Sequence, residues 1–191
     1  MYAIPLALTA LVLVAAPDAV APRATAHAYF EAIIRGDADA ALALVAEPTD
    51  GDRLVVRASA ASEHGLRRVE ELAVSRFGER GDLGIAARHG RLVAAIDKAS
   101  LKVNGDRAVL RPTGERPVRL RRVEGIWKIE SPADRLTGGE RKALDQAFKR
   151  TEEATKDLGE RLRSGALKSA EDAREALHKA LGRDEQEGVP L

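Results

Sequence analysis

At 191 residues, less an apolar leader of about twenty, the chain is long enough for one ordinary domain and too short for two with independent cores. Its 45% hydrophobic and 32% charged residues and formal net charge of +1 exclude general disorder and argue against a strongly basic nucleic-acid binder. Aromatic residues make up only 3%, leaving few platforms for stacked bases, and the lack of cysteine excludes disulfides, thiolate nucleophiles and Cys-ligated metals.

The first 24 residues, MYAIPLALTALVLVAAPDAVAPRA, carry an apolar run from Ala3 to Ala16. It is too short for a comfortable membrane span and has the length of a signal-peptide core. Ala19-Val20-Ala21 has the small-x-small form of a cleavage site, so residues 1–21 are expected to be a signal peptide and the protein secreted or periplasmic, with no span in the mature chain. The missing basic residue before the run and Pro22 just after the cut are departures from that pattern.

From Thr25, Ala26, Tyr29, Phe30, Ile33 and Ile34 recur at helical spacing up to Gly36. Asp37 has the chemistry of an N-cap for a second helix through Ala41, Leu42 and Val45, ended before Pro48. A third helix is expected over Asp52 to Phe77, burying Leu54, Val55, Ala58, Leu66, Val69, Leu72, Ala73 and Phe77, with Gly65 as a potential interruption and Gly78 as C-cap. The glycine-bearing stretch from Glu79 to Arg91 reads as a loop.

From Ile96 the period changes to two, through Ala99, Leu101 and Val103, and Asn104-Gly105 signals a tight hairpin. Strands follow over Arg107–Arg111, Val118–Val123 and Ile126–Glu130, with Glu124-Gly125 as a second tight turn and Ser131-Pro132 as the stop. A long polar helix over Gly139–Arg163 has the seam Leu144, Ala147, Phe148, Thr151, Leu158 and Leu162. Ser169 and Asp172 form a capping box for a last short helix closed by Gly182. The predicted fold is therefore α+β: N-terminal helices on a curved antiparallel sheet of about four strands, then a C-terminal helical extension. The boundaries are 22–132 for the α+β domain, 133–182 for an extension packing on it, and 183–191 for a disordered tail.

The segments AYFEAIIRGDADAALALVAEP, VNGDRAVL and LRRVEGIWKIE carry a resemblance to the nuclear transport factor 2-like, or cystatin-like, cone superfamily over about residues 24–130. The resemblance implies a cone between helix and sheet, with Trp127 and Ile129 pointing inward. Members include ligand-binding domains, assembly modules and enzymes such as ketosteroid isomerase and polyketide cyclases, so it implies a fold more than an activity. Tyr29 stands at the same offset before Gly36-Asp37 as the oxyanion-donating tyrosine of the isomerase. The isomerase general base has no counterpart on an early strand, and Asp50 and Asp52 lie instead in a turn entering another helix.

The leading expectation is thus a non-catalytic binding domain for a small apolar ligand or a protein partner, which includes a homodimer. Its pocket would be lined by Tyr29, Phe30, Ile33, Leu101, Leu120, Trp127 and Ile129. The alternatives are an isomerase-like or cyclase-like enzyme using Tyr29, and an interaction module whose cone is filled by its own side chains. Arg119 and Arg121 alternate with Val118 and Leu120, so they share the sheet face opposite the core with Lys128 and form a candidate polyanion contact. Asp37 and Asp39 read as capping residues, and His27, His64, His89 and His178 lack metal-ligand spacing, so no metal or cofactor is expected.

Overall fold

A computed structural model describes residues 17–133 and 136–182, with only the backbone described for 17–20. The leader through Ala16 and the tail 183–191 lie outside the described residues. The fold is α+β, in the order α1 (Pro17–Arg35), α2 (Ala38–Ala43), α3 (Asp50–Phe77), a 3₁₀ turn (Gly78–Gly81) and α4 (Ile85–Lys98). The strands β1 (Ser100–Asn104), β2 (Arg107–Arg111), β3 (Val118–Val123) and β4 (Ile126–Ile129) follow, then α5 (Gly138–Ser164) and α6 (Ala170–Ala180). The helix α1 continues unbroken across Ala19-Val20-Ala21 and Pro22.

The four strands form an antiparallel meander in the order β1-β2-β3-β4. The Asn104-Gly105 turn sets the first register, pairing Asn104 with Arg107 and Val103 with Ala108. Inward-facing Ala108, Leu110, Leu120, Trp127 and Ile129 pack with Tyr29, Ile33 and Ile96 in one buried cluster. The segment leaving α2 seals the β4 edge: Ile129 N–H donates to the Leu44 carbonyl at 2.8 Å, and Ala46 N–H to the Ile129 carbonyl at 2.8 Å.

A second buried cluster joins Leu66, Val69 and Ala73 of α3 with Leu83, Ile85, Leu158, Leu162 and Leu177. The long helix α3 serves both, because Val56 and Ala60 belong to the first cluster and Leu66 onward to the second. Where α3 crosses α5 the approach is close: a Cβ on Gly65 would come within 2.8 Å of Thr155 Oγ1. Gly65 therefore permits packing instead of interrupting the helix.

The segment Glu79–Arg91 is no loop but a 3₁₀ turn followed by the first half of α4, and Ile96 is a buried helical residue, so the first strand starts at Ser100. The reason lies in the caps of α4, which come from distant side chains. The Glu70 carboxylate accepts from Leu83 N at 3.2 Å, Ile85 N at 2.8 Å and Ala86 N at 3.1 Å, while Arg23 donates to the carbonyls of Ile96, Asp97 and Ala99. The buried stripe of α3 also begins differently: Val56 and Ala60 point inward, Val55 and Ala58 are half-buried, and Leu54 is 62% exposed. On α5 the expected seam holds at Leu158 and Leu162, but Leu144, Phe148 and Thr151 are only half-buried and Ala147 is exposed.

Candidate functional site

The residues expected to line a cone pocket sit together. Tyr29, Ile33, Leu120, Trp127 and Ile129 are buried in one cluster, with Phe30 and Leu101 partly buried against it. Tyr29 and Phe30 meet edge to face with centroids 5.3 Å apart, and the Arg122 guanidinium lies over the Trp127 ring at 4.8 Å. Burial first and the Asp52 charge second push the Tyr29 hydroxyl up to about 12.

Asp52 is fully buried at the start of α3. Its Oδ2 accepts from Thr49 N at 2.9 Å and Thr49 Oγ1 at 2.8 Å, and its Oδ1 accepts from Ser131 Oγ at 2.6 Å and Ala133 N at 2.9 Å. Burial works against ionisation, yet the hydrogen bonds from Ser131, Ala133 and Thr49 outweigh it and hold the carboxyl below its ordinary range. A carboxylate so saturated is a capping-box member tying α3 to the chain after β4, and a poor proton acceptor.

A cleft of about 440 Å³ borders this cluster at Phe30 and is walled by α4. Phe30, Leu92 and Ala95 form its apolar side, and Glu63, Arg88 and His89 its polar side. The Glu63 Oε2 lies 2.7 Å from Nε2 of buried His89 and also pairs with Arg88. Sequence reading missed this cluster, since Glu63 and His89 are 26 residues apart and meet only because Arg88 and His89 are helical. The carboxylate fixes the imidazole and pins α4 to α3. Among the described residues, no group of three or more His, Cys, Asp or Glu side chains is placed to hold a metal ion.

A second concavity, of about 110 Å³, lies between the first halves of α3 and α5. Leu54, Val55, Ala58, Leu144 and Phe148 line it, with Arg141 and Asp145 also present. It explains why the early α5 seam is half-buried: those side chains flank a groove.

The expected basic residues do share one sheet face. Arg121 is the cross-strand partner of Lys128 and of Arg107, and Arg119 lies two residues before Arg121 on β3. Arg119, Arg121 and Arg107 line a shallow depression of about 430 Å³ with Glu47, Thr49, Glu130 and Ser131. Arg121 Nη2 pairs with Glu47 Oε2 at 2.7 Å, and Lys128 donates to the Ala43 carbonyl.

Against protein-family models, curated proteins and solved structures, the chain shows no match. Among the described residues, no helix is long and apolar enough to cross a membrane.

Proposed function

We propose that this chain is a non-catalytic, exported binding module that associates through the groove between α3 and α5, and that the partner is a second copy of itself. One observation carries this reading: a knob and a hole stand on the same patch. Leu54 is 62% exposed at a groove of about 110 Å³. That volume is close to what a single apolar side chain or small ring fills and is well below the roughly 300–1,000 Å³ of small-molecule sites. A two-fold contact needs such a self-complementary surface, with Leu54 of each copy entering the groove of the other. Arg141, which donates to the Ala133 carbonyl, and Asp145, which pairs with Lys149, put both signs of charge at the rim of the same groove, which suits an isologous pairing.

Two observations weigh against the isomerase-like alternative. Tyr29 is buried, and its hydroxyl, pushed up to about 12, is a weaker proton donor than an ordinary tyrosine. Its charged neighbour Asp52 is occupied by four donated hydrogen bonds. Sedimentation velocity over a concentration series tests the proposal. The wild type should dimerise and Leu54→Glu should stay monomeric with an unchanged circular dichroism spectrum. A wild type that is monomeric at about 200 μM, weaker than any useful self-association, would overturn it.

A further inference from the structure

The outer face of the sheet breaks a packing rule. Arg107, Arg121 and Lys128 stand directly opposite one another on three successive strands, β2, β3 and β4. Like charges placed directly across a sheet repel and destabilise the pairing. By strand alternation Lys102, Arg111 and Arg119 share this face, bringing it to six cations, although the whole chain carries a formal net charge of only +1. Two acids in the depression answer them, Glu47 pairing with Arg121 at 2.7 Å and Glu130 lying 3.9 Å from Arg107. A local cost of this kind, gathered on one face and left only partly countered, marks a ligand surface.

The chemistry of the depression narrows the ligand. The arginines present forked donors suited to carboxylate or sulfate groups. Glu47, which is 75% exposed, and Glu130 supply acceptors beside them. A ligand matching both sets carries acid groups and hydroxyl donors along one chain. The face has no described aromatic residue on which a base could stack: Tyr29, Phe30 and Trp127 lie in or against the buried core, and Phe77 and Phe148 lie on α3 and α5. We infer that this face binds an acidic polysaccharide, with its acid groups on Arg107, Arg119 and Arg121 and its hydroxyls on Glu47 and Glu130.

Binding is measured by calorimetry in low salt with three probes of matched charge: a polygalacturonate oligomer, poly-glutamate and oligo(dT). Polygalacturonate should bind about tenfold tighter than poly-glutamate, the worth of one added hydrogen bond, and its affinity should fall as salt rises. The triple variant Arg107→Ser, Arg121→Ser, Lys128→Ser should weaken it roughly thirtyfold, with the fold verified by circular dichroism. Glu47→Ala should shrink the preference for polygalacturonate over poly-glutamate, a ratio in which the general gain in positive charge cancels. Equal affinity for the three probes, or tighter oligo(dT) binding, would overturn the polysaccharide assignment. Polygalacturonate binding that is absent in the wild type, or intact in a folded triple variant, would overturn the site. A variant that fails to fold is replaced by the single substitution Arg119→Ser, on an exposed side chain, with the same expected direction.

Discussion

Replacing Asp52 by Asn tests whether one buried carboxylate holds the start of α3 to the end of the sheet. Asn keeps a carbonyl that can still accept from Ser131 Oγ and Ala133 N, but its amide group then faces Thr49 N–H and Thr49 Oγ1, which donate to Asp52 at 2.9 and 2.8 Å. The Thr49 N–H, on an exposed residue in a part-buried bond, loses its acceptor at about 1 kcal/mol, and the surviving bonds lose their charge-assisted share, so the total is about 2–3 kcal/mol. For a chain of this length that corresponds to a melting temperature lower by about 5–10 °C. The pH dependence supplies an independent check. The folded-state pKa of Asp52 is depressed, so its contribution is fully present above the unfolded value near 4 and is lost as pH falls through the lower folded value. Urea unfolding at pH 7 and at steps down to pH 2.5 should show the gap between wild type and Asp52→Asn closing in acid. A variant within about 0.5 kcal/mol of wild type at pH 7, the scatter of neutral surface changes, would refute the reasoning, as would parallel acid profiles.

Two further outcomes follow from the core. Tyr29, pushed up to about 12 by burial and then by Asp52, resists ionisation in the folded state, so its contribution is fully present below the unfolded value near 10 and is lost as pH rises towards 12. The wild type should lose stability more steeply than Tyr29→Phe between pH 10 and 12, and coincident alkaline unfolding curves would exclude this. At the crossing of α3 and α5, Gly65→Ala places a Cβ within 2.8 Å of Thr155 Oγ1. The clash should outweigh the gain in helix propensity and destabilise by about 1–2 kcal/mol. Adding Thr155→Ala should restore most of that loss, and strict additivity in thermal melts would show that the two residues are uncoupled.

The parts of the fold that were legible in the sequence are those whose signals are local. Asn104-Gly105 and Glu124-Gly125 fix both tight turns, the alternation of Val118, Leu120 and Trp127, Ile129 gives the inner face, and Ser169 with Asp172 marks the start of α6. Helix α4 was not legible because Gly84 offers no side-chain cap and the stabilising groups, Glu70 and Arg23, come from other helices. The Glu63–His89 pair was hidden for the same reason. The basic face was half legible: alternation puts Arg119 and Arg121 on one side of β3, but only the register sets Arg107 and Lys128 opposite Arg121. The groove at Leu54 was read as core, since helical spacing alone does not say whether a neighbouring helix covers an apolar side chain.

The continuity of α3 makes the two buried clusters mechanically one object. Its 28 residues span about 42 Å at 1.5 Å per residue, with Val56 and Ala60 set in the cluster shared with α1, α2 and the inner sheet face, and Leu66, Val69 and Ala73 set in the cluster shared with α5 and α6. A rod gripped at both ends transmits torque. A push on its first half by an occupant of the Leu54 groove would bear on Val56 and Ala60 in the first cluster, beside α1 and α2, and, through the same backbone, on Leu66 and Val69 beside α5. Between the two clusters the helix is held as well, by the Glu63–His89 pair to α4 and by the close passage of Gly65 against Thr155 of α5, so the stretch from Ser62 to Gly65 is a third bearing on the same rod.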